Sequence, residues 1–192
     1  FAIILISIFL VVLYFKYFKK EKLKEECEEN YYCKKLEVLK NLDKIDCREE
    51  EFYCKEIYAE KRKDITLCQT YICKIKNLLF SNLYECKNAF SEGTEISLIC
   101  DAIYYKNISL CYLIHYKNFR EVCLSNFIKI NCSSDDCFLF QAIKYNDIES
   151  CKKIRSEELM YDCIYYLNPN YNCNKEICKI LSEYYKSQIS NI

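Results

Sequence analysis

Apolar residues return at intervals of three and four along most of the chain, with polar residues filling the positions between. Leu36, Leu39 and Leu42 follow Cys33 in this way, and Ile57 and Tyr58 follow Cys54. That period belongs to an amphipathic helix with one buried face. No stretch sustains the two-residue alternation of a half-buried strand, and Gly93 and Pro169 are the only strong breakers in 192 residues. The pattern predicts an all-α chain of short helices. Four segments open alike: Asp64-Ile65-Thr66-Leu67-Cys68, Asn82-Leu83-Tyr84-Glu85-Cys86, Asn107-Ile108-Ser109-Leu110-Cys111 and Asp147-Ile148-Glu149-Ser150-Cys151. Asp or Asn is a preferred N-cap because its side chain accepts from the orphan N–H groups of the first turn. Each segment is therefore read as a capped helical turn whose cysteine faces inward, with the second cysteine opening a longer helix.

Cysteine spacing turns these helices into a repeat. Sixteen cysteines fall in eight successive pairs, and the first members, Cys27, Cys47, Cys68, Cys86, Cys111, Cys132, Cys151 and Cys173, recur about every 21 residues. Their partners in sequence are Cys33, Cys54, Cys73, Cys100, Cys123, Cys137, Cys163 and Cys178. Short disulfide-stapled helical hairpins in an α-solenoid-like array, about eight units over residues 19–192, are the expected architecture. Cys86 to Cys100, Cys111 to Cys123 and Cys151 to Cys163 leave room for two helices and a turn. Cys68 to Cys73, Cys132 to Cys137 and Cys173 to Cys178 are five apart, and in an unbroken helix their Cα atoms would lie beyond the ~7 Å that a disulfide tolerates. A bend is expected between them, capped by Thr70, by Ser133 with Ser134, and by Asn174. Pairing within the unit is the first choice, pairing with the next unit the alternative, and sequence leaves the connectivity open.

Phe1 to Phe15 carries no charge, and with Lys16, Tyr17 and Phe18 a helix would reach about 27 Å, close to a ~30 Å hydrocarbon core. An uncleaved transmembrane anchor over residues 1–18 is expected, since no small-x-small cleavage site follows the apolar run. Because the chain begins at Phe1 and not Met, a few preceding residues are expected too. Paired cysteines at this density point to an oxidising compartment, which places the repeat domain outside the cytoplasm. Lys16, Lys19, Lys20, Lys22 and Lys24 argue for the cytoplasmic side by the positive-inside rule. The cysteines carry more weight.

Chemistry is sparse. Twenty-eight basic residues balance 28 acidic ones, so no charge excess calls for nucleic acid. Neither C-x2-C spacing nor a second histidine beside His115 is present, which disfavours zinc, iron–sulfur and thiol-oxidoreductase readings. His115, read as part of a helix, has no Gly-rich nucleophile elbow to serve. Acidic runs at Arg48-Glu49-Glu50-Glu51 and Ser156-Glu157-Glu158 are read as solvated helix faces, and Asp135-Asp136 as an acidic first turn. No catalytic residue, metal ligand or cofactor site is assigned.

Nineteen tyrosines accompany abundant Ile, Lys and Asn, a bias that AT-rich coding would produce, so no single Tyr or Lys is taken as a signal. The pairs Tyr31-Tyr32, Tyr104-Tyr105, Tyr165-Tyr166 and Tyr184-Tyr185 suit either an aromatic ridge for a partner or core filling, and their variable offset from the cysteines favours filling. Asn107-Ile108-Ser109 and Asn131-Cys132-Ser133 match the N-glycan acceptor pattern. About one match is expected by chance, so the two decide nothing.

The pattern [Asp/Asn]-Ile-x-x-Cys, then Cys-x4-Ala as at Cys54 with Ala59 and Cys137 with Ala142, resembles the tandem cysteine-pair helical repeats of uncharacterised membrane-anchored archaeal proteins. The likeness covers Glu26 to about Tyr185, departs at Leu78 after Cys73, and implies an extracytoplasmic stapled array with no known activity. The expected role is a binding or structural surface with a protein or glycan partner, not an enzyme. One alternative is a pilin-like filament subunit, whose acidic residue near the start of the apolar helix is here Leu5. Another is a cell-envelope metal or thiol protein.

Overall fold

A computed structural model describes residues 30–42, 51–78, 86, 90 and 93–190. Every regular element among them is helical: α1 (Tyr31–Lys40), α2 (Glu51–Arg62), a 3₁₀ turn (Ile65–Leu67), α3 (Tyr71–Asn77), α4 (Glu95–Tyr104), a second 3₁₀ segment (Ile108–Leu113), α5 (Lys117–Phe127), α6 (Asp135–Tyr145), the short α7 (Ile148–Cys151), α8 (Glu157–Leu167) and α9 (Glu176–Ser190). The all-α class is therefore observed. None of these helices is long and apolar enough to cross a membrane. The expected anchor over residues 1–18 lies outside the described residues.

Capping side chains decide where helices begin. Asn30, Thr70 and Ser134 each accept from the N–H of the cysteine three residues on, Cys33, Cys73 and Cys137. Asp64, Asn107 and Asp147 cap the short turns, accepting from the N–H two residues later; Asn82 lies outside the described residues. Two of those turns are 3₁₀ and not α. At the third five-residue spacing the cap differs from expectation, because α9 begins at Glu176 and the Cys178 N–H donates to the Lys175 carbonyl, leaving Asn174 exposed outside the helix. Cys100, Cys123 and Cys163 do not open helices either. They sit in the middle of α4, α5 and α8, whose starts fall five or six residues earlier.

One join recurs three times. Lys63, Lys106 and Asn146 adopt left-handed backbone, with φ of 56°, 51° and 51°. The next residue, Asp64, Asn107 or Asp147, then donates its N–H back to the carbonyl of Ala59, Ala102 or Ala142 at 2.9 to 3.0 Å. This closes the C-terminal turn of the longer helix in the manner of a Schellman motif, and the same Asp or Asn caps the turn that follows. Asp64→Ala and Asp147→Ala should each lower stability by about 1 kcal/mol through unsatisfied amides, read in urea unfolding. A cost near zero would show that the turns hold without their caps.

Six bridges are described, each between the two cysteines of one sequence pair: Cys68–Cys73, Cys86–Cys100, Cys111–Cys123, Cys132–Cys137, Cys151–Cys163 and Cys173–Cys178, with Cα separations of 5.5 to 5.9 Å. Cys33 and Cys54 are also disulfide-bonded. Cys27 and Cys47, their partners by spacing, lie outside the described residues. The twelve- and fourteen-residue bridges cross between helices inside the main core, beside Ile99, Val122, Phe140 and Ile164.

Packing differs from a solenoid, in which each unit touches only its neighbours. Helix α3 packs on α6, and the C-terminal α9 packs on both α8 and α1. The described ends meet, and a second core of Tyr32, Leu36, Leu39, Ile57, Leu181 and Tyr184 fills the junction. Contacts thus also join helices more than a hundred residues apart, among them hydrogen bonds of the buried charges described next.

Candidate binding site

Beneath the junction of α1, α2, α3, α8 and α9 lie five charged side chains, each almost fully buried: Lys35, Glu56, Glu60, Lys76 and Asp162. Every one occupies a helix position that sequence periodicity places beside core residues, as Lys35 sits four residues from Tyr31 and Leu39. Lys35 Nζ donates to Glu60 Oε1 at 2.8 Å and lies 4.0 Å from Glu56 Oε2. Lys76 Nζ is 2.5 Å from Asp162 Oδ2 and 3.8 Å from Glu60 Oε1, and it donates to the Tyr185 hydroxyl at 2.9 Å. Tyr185 in turn donates to Asp162, and Tyr184 and Gln188 donate to Glu60. Three carboxylates face two ammonium groups. The surplus charge falls on Glu56, which neutral donors surround: the N–H groups of Gln69 and Thr70 at 2.6 Å, the Thr70 hydroxyl at 2.9 Å and the Tyr31 hydroxyl at 2.8 Å.

At Glu60 and Lys76 burial is countered by the charged partners. Burial alone would raise the Glu60 carboxyl, yet Lys35 and Lys76 hold it at about 2. For Lys76, burial favours the neutral amine, but Asp162 and Glu60 outweigh it and raise its pKa. The phenols of Tyr31, Tyr32, Tyr184 and Tyr185 are pushed up by burial, then by the nearby carboxylates, and remain donors.

Glu56 also illustrates a device used along the chain. A carboxylate on one helix receives the free amides at the entrance of a later one, where the helix dipole favours negative charge. Glu121 on α5 takes both the N–H and the hydroxyl of Ser133 and Ser134 before α6, at 2.6 to 3.0 Å. Asp135 on α6 takes the N–H of Arg155 and Ser156 before α8 at 3.0 and 3.1 Å, and Glu95 on α4 takes that of His115 at 3.3 Å. Burial would raise the Glu121 carboxyl, and its serine donors bring it below the usual range.

Two concavities lie on this part of the fold, one of them against the buried cluster. A groove of about 540 Å³ runs between α8, α9 and the segment joining them, lined by Tyr165, Asn170, Tyr171, Asn172, Ser182, Glu183 and Lys186 together with the Cys173–Cys178 bridge. The bridge and the Tyr165 hydroxyl, which donates to the Tyr171 carbonyl at 2.8 Å, hold that segment against the helices. A smaller cavity of about 290 Å³ reaches Glu60 and Tyr185 directly and is walled by Lys63, Tyr166, Pro169 and Gln188. Lys63 Nζ donates to the Tyr166 hydroxyl at 3.0 Å. Ring faces, amides and charges of both signs around the larger groove suit a ligand that is itself amphipathic and rich in hydrogen-bonding groups.

Of the residues singled out in the sequence, the described bridged cysteines build the scaffold, and Cys173, Cys178 and Tyr165 line the larger groove. His115 is not in a helix; its imidazole is 91% exposed with Nδ1 3.9 Å from Glu95 Oε1, and its backbone N–H donates to that same oxygen. Asp135 and Asp136 do form the first turn of α6, though Asp135 clamps α8 and Asp136 accepts from Asn118 at 2.7 Å. Among the described residues no group of three or more His, Cys, Asp or Glu side chains is placed to hold a metal. Tyr31, Tyr32, Tyr165, Tyr184 and Tyr185 serve the core and the charge cluster, whereas Tyr104 and Tyr105 are exposed. Lys35 and Lys76 are among the lysines that the compositional bias discounts singly, and Glu56, Glu60 and Asp162 are not singled out in the sequence. Their signal was the placement of a charge at three- and four-residue spacing from core positions. No family model matches the chain, and neither a curated protein nor a solved structure matches it.

Proposed function

We propose that the chain is a membrane-anchored, extracytoplasmic helical repeat protein that presents a binding surface for a protein or glycan partner and performs no catalysis. The anchor is the apolar segment over residues 1–18, and residues 19–192 form the stapled repeat domain. The observation that carries the binding role is the groove of about 540 Å³ on α8 and α9, in the size range of ligand sites and lined by tyrosine rings with Asn170, Asn172, Ser182 and Lys186. Its walls are held by the Cys173–Cys178 bridge and by the Tyr165 hydroxyl on the Tyr171 carbonyl, so a partner meets a preorganised face and little ordering cost. Many disulfides suit an oxidising compartment.

Two experiments test the two halves of this reading. Protease added to intact cells should digest the region from Lys19 onward while a cytoplasmic control survives; digestion only after lysis would place the domain inside. A photo-crosslinking residue at Asn172 of the full chain should give a discrete adduct in intact cells that Tyr171→Ala with Lys186→Glu abolishes. An adduct indifferent to those changes, or none, would remove the groove from the binding role.

A further inference from the structure

The two glycan-acceptor patterns of the sequence are held differently by the fold. At Asn107-Ile108-Ser109 both Asn107 and Ser109 are exposed. Asn107 Oδ1 accepts the Ser109 N–H at 3.0 Å, and among the described residues neither Asn107 Nδ2 nor the Ser109 hydroxyl has a partner. At Asn131-Cys132-Ser133 both Asn131 and Ser133 are exposed too, but the Ser133 hydroxyl is committed to Glu121 at 2.6 Å and its N–H to the same carboxylate at 3.0 Å. Cys132 is 7% exposed and bridged to Cys137 across five residues, a loop that closes locally. The pattern needs a free amide and a reachable Ser hydroxyl on an accessible stretch. Only the first meets that need.

A second observation falls on the same place. Tyr105, Tyr112, Leu113 and Tyr116 are 56%, 64%, 58% and 65% exposed, and they flank Asn107 in sequence. Tyrosine rings left exposed this near the acceptor in sequence suit a sugar as cover, since the C–H face of a pyranose stacks on them.

We infer that Asn107 is an N-glycosylation acceptor, that Asn131 is not, and that the sugar at Asn107 covers the surrounding aromatic surface. The donor is a polyprenyl diphosphate-linked oligosaccharide. Asn107 Nδ2 forms the bond to the anomeric carbon and gives up one proton, while the C1–O bond breaks and the diphosphate leaves with its electron pair. The inference rests on the extracytoplasmic placement proposed above.

The test is peptide mass spectrometry on the full chain from a glycosylating secretory host, with an Asn-x-Thr tag added at the C-terminus as a compartment control. Occupancy is expected at the tag and at Asn107 and not at Asn131, with the Asn107 mass removed by a peptide N-glycanase. Ser109→Ala, which keeps the Asn107 cap, should abolish it, and Ser109→Thr should raise it. An occupied tag with an empty Asn107 would overturn the inference and leave the compartment standing. An empty tag would overturn both, and sugar at Asn131 would overturn the selectivity.

Discussion

Full reduction of the bridges is expected to unfold the chain at room temperature, seen as loss of the far-ultraviolet helical signal and of protease resistance. Each bridge closes a loop of five to fourteen residues, and loop-closure entropy assigns about 2 to 3 kcal/mol to each. The six described bridges together reach roughly 15 kcal/mol as an upper figure, against a typical domain stability of ~5 to ~15 kcal/mol. Most described bridged cysteines are also fully buried, so opening a bridge leaves two thiols in close-packed surroundings. Replacing one pair, Cys111→Ala with Cys123→Ala, should cost about 2 to 3 kcal/mol. Cys111→Ala alone should be worse, because the freed Cys123 thiol attacks neighbouring bridges. Retention of the helical signal after complete reduction, with all thiols counted, would transfer the stability to the apolar cores.

What was legible before the structure was local. Cysteine pairing joins residues at most fourteen positions apart among the described bridges, and the Asp64, Asn107 and Asp147 caps and the bends before Cys73 and Cys137 follow from residues within five positions of one another, where caps and loop closure act. Ala59 and Asp64 each stood out singly, but their hydrogen bond depends on the left-handed Lys63 between them, and lysine has no preference that announces it. Cys123 and Cys163 do not open their helices because entrances follow caps and carboxylate clamps, here Glu95 on His115 before α5 and Asp135 on Arg155 and Ser156 before α8, about twenty residues away in sequence. Closure of α9 on α1 was illegible for a stronger reason. The contact between Tyr184 and Glu60 spans 124 residues, and no periodicity encodes such a distance.

Asp162→Ala is expected to cost about 3 to 5 kcal/mol, among the largest effects of any single replacement in the chain. The carboxylate is fully buried, and its loss leaves Lys76 without its nearest counter-charge in surroundings where an unpaired ammonium is expensive. Lys76→Met alone should do comparable damage by stranding Asp162. The double change Lys76→Met with Asp162→Leu should be milder than either, since no lone charge remains and the apolar pair fills similar space. Chemical unfolding of the oxidised protein measures all three, and a double mutant as damaged as the sum of the singles would refute the coupling. The same cluster sets the pH range. Glu60 is held at about 2 in the folded chain against an ordinary 4.5, so its contribution, about 3 kcal/mol, is complete above pH 4.5 and drains away as pH falls toward 2. Lys76 is shifted upward, so its share is complete below its ordinary 10.5 and is lost as pH rises through the folded value. Tyr184 and Tyr185, kept protonated by burial, lose stability in the same direction once the unfolded phenols ionise near 10. Stability should therefore be flat from about pH 5 to 10 and fall on both sides. In Asp162→Ala the alkaline fall should shrink, because the group that raises Lys76 most is gone.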